Sequence, residues 1–265
     1  MLGQSDRLLV IFGAPLRAFV YFLLALPAVI VVISSFNENQ FMNFPPPGFT
    51  LRWYRGMWDS VPLMGALGTS MRLALLATFL SLLLGAPAAF ALTRYEFRGN
   101  KTLQLILLSP MVLPAVVLSL GLLQFFALIG MARSNAGLVV GHVLITLPYV
   151  VRTLTASFLL LDRTLEQAAA NLRAPPLTVA RRITLPLILP GLLSATLFSF
   201  VTSLGNVTVS MFLSYSASVT LPIQILQHME MNFDPIIAAI STIVILLTVA
   251  LIAAVEWLVG VDRIV

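Results

Sequence analysis

Long apolar segments alternate with short polar ones along almost the whole chain of 265 residues. A segment of about 20 apolar residues is long enough to cross the hydrocarbon core of a bilayer as a helix. The pattern therefore predicts an all-α membrane protein with six transmembrane helices, in one transmembrane domain over residues 1–265. The predicted spans are residues 18–36, 71–93, 103–129, 136–160, 187–213 and 235–258.

Two polar connections are long enough to hold structure of their own. Residues 37–62 begin with a Pro-rich stretch that excludes a helix and continue into Trp53, Tyr54 and Trp58. Such aromatic residues are typical of a helix at the membrane interface, although docking of an outer partner is an alternative role. Residues 163–176 are polar and rich in alanine, which predicts a short helix between the fourth and fifth spans.

Composition supports the membrane assignment and excludes several other classes. The chain is 59% hydrophobic and 9% charged, whereas soluble domains carry about 25% charged residues. The net charge of +5 is spread between apolar segments, which does not favour nucleic-acid binding. The absence of cysteine excludes disulfides and thiolate metal sites.

Basic residues in the connections predict the orientation, because cytoplasmic loops carry an excess of Lys and Arg. One side holds ten basic residues and the other holds three, with Arg72 and Arg152 left out because they lie at span ends. We therefore expect residues 163–176 and both termini to be cytoplasmic. The ten are Arg7, Arg17, Arg94, Arg98, Lys101, Arg163, Arg173, Arg181, Arg182 and Arg263, and the three are Arg52, Arg55 and Arg133.

Prolines interrupt three of the predicted spans, at Pro110 and Pro114, at Pro148, and at Pro190-Gly191. Proline frees a backbone carbonyl and kinks a helix, and membranes tolerate this where the freed group faces protein or a watery cavity. Two interpretations stay open: a bundle that lines a cavity, or ordinary helix packing.

The chain shows no catalytic or ion-coupling chemistry of its own. It has no phosphate-binding Gly-x-x-x-x-Gly-Lys motif, no metal-ligand pattern and no carboxylate deep in a predicted span. His142 is the one candidate for an ion-coupling residue deep in a predicted span, and its alternative is a hydrogen-bonded packing residue. We therefore expect no catalytic residue, no metal site and no cofactor in this chain. We expect the energy for any work that the chain does to come from a partner protein.

The predicted fifth span is unusually polar. Thr202, Asn206 and Ser210 are four residues apart, so they would share one face of a continuous helix. Such a stripe is suited either to hydrogen-bonding a solute or to joining helices. It is the candidate solute path.

Residues 163–176 and the segment after them carry a family resemblance. Glu166-Gln167-Ala168-Ala169, followed by Ile183-x-Leu185-Pro186, resembles the cytoplasmic EAA loop of binding-protein-dependent ABC importer permeases. Ser35-Phe36-Asn37, Gly48-Phe49-Thr50-Leu51-Arg52-Trp53-Tyr54 and Leu221-Pro222-Ile223 resemble the second permease of spermidine/putrescine-type importers. The resemblance covers most of the chain.

The resemblance implies the type I ABC importer permease fold, with residues 163–176 as a coupling helix that seats in a groove of an ATPase subunit. It also implies a second permease subunit, two ATPase subunits that bind ATP and Mg, and a periplasmic solute-binding protein. The residues implied in ATPase coupling are Glu166, Gln167, Ala168, Ala169, Leu172, Arg173 and Ala174.

Three positions depart from the family pattern. Gln167 stands where Glu is usual, and Arg173 stands where Gly is usual, so Arg173 has either an ordinary conformation or a strained one. Pro175-Pro176 is an alternative means of holding that turn. Gly205-Asn206 occupies a region where polyamine permeases often carry acidic residues.

Together the residues and the resemblance predict an inner-membrane permease subunit of an ATP-driven importer. It would form half of the path of a small polar organic solute, polyamine-like or related. The alternatives are a stand-alone secondary carrier or channel, which uptake without an ATPase would favour, and a membrane scaffold that only recruits a partner.

Overall fold

The computed structural model describes residues 4–41 and 43–259, and most of these residues are helical. Arg263, which is counted in the predicted orientation, lies outside the described residues. A π-helical turn, Ala180–Thr184, joins α8 to α9. The helices are α1 Gln4–Ser34, α2 Arg52–Asp59, α3 Val61–Arg94, α4 Asn100–Val112, α5 Ala115–Leu128, α6 Asn135–Leu160, α7 Arg163–Asn171, α8 Pro176–Val179, α9 Leu185–Leu204, α10 Thr208–Leu213, α11 Leu221–Met231 and α12 Ile236–Val259.

The predicted spans correspond to helices that are long and apolar enough to cross a membrane. Five helical stretches in the described part of the chain meet this condition, and α4 with α5 is a sixth if the bent pair is one span. The fold class is therefore confirmed as an all-helical membrane protein. The five stretches are Pro15–Ser34, Val61–Arg94, Asn135–Leu160, Pro176–Leu204 and Ile236–Leu258.

The third predicted span, residues 103–129, is not one straight helix. It is the pair α4 and α5, which meet at an angle of 106°. Leu113 and Pro114 are extended between the two helices. Proline has no N–H to donate and disfavours a helical residue before it, which accounts for the break at Leu113.

The fifth predicted span, residues 187–213, has different ends in the structure. The helical stretch begins earlier, at Pro176, and ends at Leu204. Gly205 follows the helix, and α10 begins only at Thr208. The prediction was wrong here because apolar residues continue on both sides of Gly205-Asn206, so hydropathy does not show the interruption.

The chain divides into two compact units, while the single domain predicted over residues 1–265 stays a prediction. Unit 1 comprises Met1–Val61 and Gln227–Val249. In it, Asn37 pairs with Phe49 in an isolated bridge, and the Trp53 indole N–H donates to the Asn37 carbonyl at 2.6 Å. The segments 35–37 and 48–54, which carry the family resemblance, therefore pack against each other. Trp53, Tyr54 and Trp58 lie on a helix, α2, as predicted.

Unit 2 comprises Pro62–Leu226 and Ala250–Val265, and its described part contains the core of the bundle. One cluster of buried side chains joins α3, α6 and α9 through residues that include Ala89, Leu154 and Ala195. A second cluster joins α3, α5, α6 and α10 through residues that include Leu73, Phe126 and Val209. Helices α3 and α6 each contribute to both clusters, so these two helices form the centre of the core in the described part of this unit.

Close approach of α6 and α9 depends on a glycine. A Cβ added at Gly191 would lie 1.8 Å from the Ser157 Oγ and 2.7 Å from the Ser157 Cβ. Those distances are far inside van der Waals contact, so glycine is required at this crossing. Gly191 therefore serves helix packing, which is one of the two interpretations that the sequence leaves open for the Pro190-Gly191 interruption.

Candidate functional site

The predicted coupling helix is present as α7, but it is shorter than residues 163–176. It begins after Asp162, whose carboxylate accepts a hydrogen bond from the Thr164 backbone N–H at 2.9 Å. An acidic cap satisfies a free N–H at a helix start. The same hydrogen bond holds the pKa of the Asp162 carboxyl below its ordinary value.

Helix α7 ends at Asn171 because the chain turns sharply at Arg173. Arg173 has a φ of +59°, so the strained alternative of the two predicted conformations is the one present. Its N–H donates to the Ala170 carbonyl at 2.9 Å, and the Ala174 N–H donates to the Ala169 carbonyl at 3.0 Å. This pair of bonds is a Schellman motif, in which glycine is the usual left-handed residue. Pro175 and Pro176 follow the turn, and Pro176 begins α8.

One face of α7 is turned toward the rest of unit 2. Glu166 and Ala169 are half-buried there, whereas Gln167 and Ala168 are exposed. A large residue at position 169 would therefore disturb packing inside the unit. Position 168 is the better place to test contact with a partner.

An apolar stripe on α7 is exposed. Leu165 is 47% exposed, Leu172 is 84% exposed, and Ala168 lies between them on the same face. Exposed apolar residues in register along a short helix are suited to a groove on another protein. We call Leu165, Ala168 and Leu172 the docking stripe.

Glu166 fixes the inner face of α7. Its carboxylate lies 3.1 Å from the Arg94 guanidinium and accepts a hydrogen bond from the Thr184 hydroxyl at 2.6 Å. Both side chains of the ion pair are largely buried, at 9% exposed for Arg94 and 19% for Glu166. Burial makes such a pair costly to break on one side only. Glu166 therefore ties α7 both to the end of α3 and to the π-helical turn before α9.

Two further bonds complete this junction. The Arg163 guanidinium donates to the Thr93 carbonyl at the end of α3. The Arg94 guanidinium also donates to the Phe158 carbonyl in α6 at 3.3 Å. The ends of α3, α6 and α9 therefore meet at α7. Sequence reasoning missed the partners of Glu166, since Arg94 was assigned only a role in orientation.

The predicted solute-path residues do not form one stripe. Thr202 lies near the end of α9, Asn206 lies in the break, and Ser210 lies in α10. The Asn206 Oδ1 accepts a hydrogen bond from the Val209 N–H at 2.8 Å, so this side chain supports the first turn of α10. The shared helix face was wrong because it assumed a continuous helix through Gly205.

Behind the break lies a buried hydrogen-bond network centred on His142. Its Nδ1 is 2.8 Å from the Ser203 Oγ, and its Nε2 is 3.2 Å from the Ser210 Oγ. All three residues are buried. His142 thus joins the end of α9 to α10 across the break. These bonds support the packing interpretation of His142.

Known proteins resemble the chain in sequence. The family model described as "Binding-protein-dependent transport system inner membrane component" matches residues 81–261. The spermidine/putrescine transport system permease protein PotC of Haemophilus influenzae is 34% identical over 233 residues, which are 88% of this chain and 90% of that protein. The putrescine transport system permease protein PotI of Escherichia coli (strain K12) is 32% identical over 238 residues, 87% of this chain and 84% of that protein. The molybdenum transport system permease protein ModB of Mycobacterium bovis is 33% identical over 202 residues, 71% of this chain and 76% of that protein.

Solved structures resemble the chain in fold. A bacterial ABC transporter involved in the import of the acidic polysaccharide alginate contains a chain with a TM-score of 0.70 and 16% identity, covering 97% of this chain and 98% of that one. The inward-facing MetNI methionine ABC transporter gives a TM-score of 0.64 and 19% identity, over 76% of this chain and 98% of that one. With the family match and the relatives above, the chain belongs to the binding-protein-dependent transport system inner membrane components and is a permease subunit of an ABC importer.

Proposed function

We propose that this permease works with a second permease subunit, two ATPase subunits and a periplasmic solute-binding protein. The assembly imports a small polar organic solute, polyamine-like or related. ATP and Mg are bound by the ATPase subunits, since this chain has no phosphate-binding motif. The names of PotC and PotI support a polyamine-like solute, whereas ModB, at similar identity, is named for molybdenum.

The docking stripe is the observation that carries the coupling role. Exposed apolar patches on a protein surface mark contacts with another protein or with a membrane. A groove on an ATPase subunit would cover Leu165, Ala168 and Leu172, with Gln167 beside them. Arg173 and Ala174 set the direction in which the chain leaves this contact, through the Schellman turn.

Movement of α7 reaches the spans through its inner face. Glu166 bonds to Arg94 and Thr184, and Arg163 bonds to Thr93, so displacement of α7 pulls on the ends of α3 and α9 together. Closure of the ATPase subunits on ATP would supply that displacement. The permease would then alternate between outward and inward access without an ion gradient of its own.

The orientation follows from the basic residues of the connections. We propose that α7 and both termini face the cytoplasm, because the connections on that side carry the excess of Arg and Lys. This places the docking stripe on the side where ATP is available.

Thr202, Asn206 and Ser210 remain the proposed solute-path residues, with roles adjusted to the break. The interrupted backbone at Gly205-Asn206 leaves polar groups that a membrane tolerates only against protein or water. Thr202 and Asn206 are half-buried beside it. Ser210 is buried and bonded to His142, so its contribution is to hold the break in place.

Charging the docking stripe tests the coupling role. Ala168→Glu would place a carboxylate in an apolar groove, so we expect solute uptake by the assembled importer to fall by about tenfold or more. The level of protein in the membrane should not change. Ala170→Glu is the matched control, because Ala170 is exposed on the opposite side of α7.

Equal uptake by the Ala168→Glu and Ala170→Glu variants would contradict docking through the stripe. The stand-alone carrier is tested separately, with the purified chain in vesicles that contain no ATPase subunit. Uptake in those vesicles would replace the present proposal with that alternative.

A further inference from the structure

Arg72 is an unusual residue of α3. It is exposed and, among the residues that the structure describes, no carboxylate forms an ion pair with it. The helix runs without interruption from Arg72 to Arg94. That distance is about 33 Å at 1.5 Å per residue, close to the thickness of the hydrocarbon core. Arg72 therefore lies at one border of the core when Arg94 lies at the other.

The Arg72 side chain folds back toward the start of α3. Its Nη2 lies 3.8 Å from the position that a Cβ on Gly68 would occupy, one helical turn earlier. A long basic side chain at the edge of a membrane extends in this way to keep its charge out of the hydrocarbon. A Cβ at that distance would be in ordinary van der Waals contact, so the guanidinium lies beside the preceding turn of α3.

A cavity of about 310 Å³ lies beside Arg72 within unit 2. Its polar lining comes from Arg72 and Thr69 of α3, Asn135 at the start of α6, and Ser218. No Asp or Glu is among the lining residues, so Arg72 is their only charged side chain. The cavity is large enough for a carboxylate, sulfate or phosphate group with several waters.

One hydrogen bond beside the cavity leaves the amide donors of a lining residue for another group. The Ser218 hydroxyl donates to the Asn135 Oδ1, which leaves the Asn135 amide N–H₂ as a donor for another group. The Thr69 hydroxyl donates to the Gly65 carbonyl at 3.0 Å. Arg72 and Asn135 together therefore present donors without a negatively charged acceptor of the chain's own.

We propose that Arg72 and Asn135 form an oxyanion subsite at this border of the membrane. A guanidinium binds a carboxylate or phosphate through two parallel hydrogen bonds. Such a partner would offset the cost of keeping an unpaired cation at the edge of the hydrocarbon. The oxyanion comes either from a soluble molecule that enters the cavity or from the phosphate of a lipid headgroup. This subsite does not depend on the identity of the imported solute.

The test for a soluble oxyanion measures the unfolding temperature of the assembled importer in detergent, as sulfate replaces chloride at constant ionic strength. We expect the apparent affinity for sulfate to be about tenfold or more weaker in Arg72→Gln than in the unmodified importer. Arg152→Gln is the matched control, because Arg152 is also an exposed Arg within a spanning helix and does not line the cavity. Arg72→Lys should bind sulfate with intermediate affinity, because it keeps the charge and loses the two-point contact.

The test for a lipid source uses the same variants in nanodiscs of phosphatidylcholine, with and without phosphatidylglycerol. Stabilisation by phosphatidylglycerol that Arg72→Gln loses and Arg152→Gln keeps would assign the subsite to a headgroup. A difference seen only with sulfate would assign it to a soluble oxyanion. If Arg72→Gln and Arg72→Lys respond as the unmodified importer does to both sulfate and phosphatidylglycerol, the proposal is overturned.

Discussion

At the scale of single residues, Glu166 connects α7 to two other elements at the coupling junction. Its carboxylate forms an ion pair with Arg94 and accepts a hydrogen bond from the Thr184 hydroxyl in a largely buried site. Glu166→Ala would leave the Arg94 guanidinium buried without its carboxylate partner. We expect the importer to lose about 2 kcal/mol of stability, which is the size typical of hydrogen bonds to charged groups. The loss should be visible as a lower unfolding temperature of the purified importer.

A double-mutant cycle separates the contribution of the Arg94–Glu166 ion pair from the other effects of the two substitutions. Arg94→Ala together with Glu166→Ala should cost less than the sum of the two single variants, because the double variant leaves no unpaired charge. Arg98→Ala, at an exposed position in the connection that follows α3, should combine additively with Glu166→Ala. Additive behaviour of the Arg94 and Glu166 variants would show that the ion pair does not stabilise α7.

Arg173 is a second residue-scale case, in which the usual glycine has been replaced. A non-glycine residue in the left-handed region costs about 1–2 kcal/mol of stability. Substitution by glycine removes this cost, but the greater flexibility of glycine in the unfolded chain offsets part of the gain in stability. We expect Arg173→Gly to raise the unfolding temperature slightly. Arg173→Ala keeps the Cβ and should not raise it. Equal unfolding temperatures for the two variants would show that φ at this position is not a source of strain.

These residues differ in how far the sequence could predict them. The position of the turn at Arg173 was predicted from the family resemblance. The sequence left two backbone conformations open for Arg173, an ordinary one and a strained one. The partner of Glu166 was not predictable, since Arg94 is distant in sequence and a basic residue at a span end also fits the positive-inside rule. Polar partners across a fold depend on how helices pack, and hydropathy carries no information about that.

At the scale of the elements, the contact between α6 and α9 depends on the absence of a side chain at Gly191. A Cβ there would overlap Ser157, so Gly191→Ala should destabilise the importer by about 1–3 kcal/mol through overpacking. Adding Ser157→Gly should restore part of the loss, because it removes both overlapping atoms. The readout is the unfolding temperature of the purified importer.

Gly121→Ala is the matched control for this crossing. Gly121 lies in α5, and a Cβ there would meet nothing within 4 Å. It should therefore leave the unfolding temperature unchanged or raise it slightly, as expected for alanine in a helix. If Ser157→Gly does not relieve Gly191→Ala, then the helices do not meet at this point.

The elements also show where hydropathy succeeds and where it fails. The fourth and sixth predicted spans agree with α6 and α12 within one residue, because the bilayer thickness fixes the length of an apolar helix. Pro114 is among the prolines that the sequence analysis names as interrupting the spans, whereas the break at Gly205-Asn206 was not predicted. Apolar residues continue through both breaks, and Pro148 sits inside an unbroken helix, so proline alone does not predict an interruption.

At the scale of the whole molecule, the proposed coupling requires α7 to face the cytoplasm, and the basic residues of the connections predict that Phe49 faces the other side. The chain has no cysteine, so a single introduced cysteine reports one position without further engineering. Leu172 and Phe49 are suitable because they are 84% and 73% exposed. In the permease without its ATPase subunits, a membrane-impermeant maleimide should label Leu172→Cys in inverted vesicles only and Phe49→Cys in intact spheroplasts only.

The same two variants test the docking stripe in the assembled importer. An ATPase subunit seated on α7 would cover position 172, so Leu172→Cys in inverted vesicles should be labelled more slowly when the ATPase subunits are present. Phe49→Cys in spheroplasts should be labelled at the same rate with and without them, because the ATPase lies on the other side. Labelling of Leu172→Cys from the periplasm would reverse the predicted topology. Unchanged labelling on addition of the ATPase subunits would keep the topology but remove the docking role of the stripe, because a residue in that contact cannot remain equally accessible.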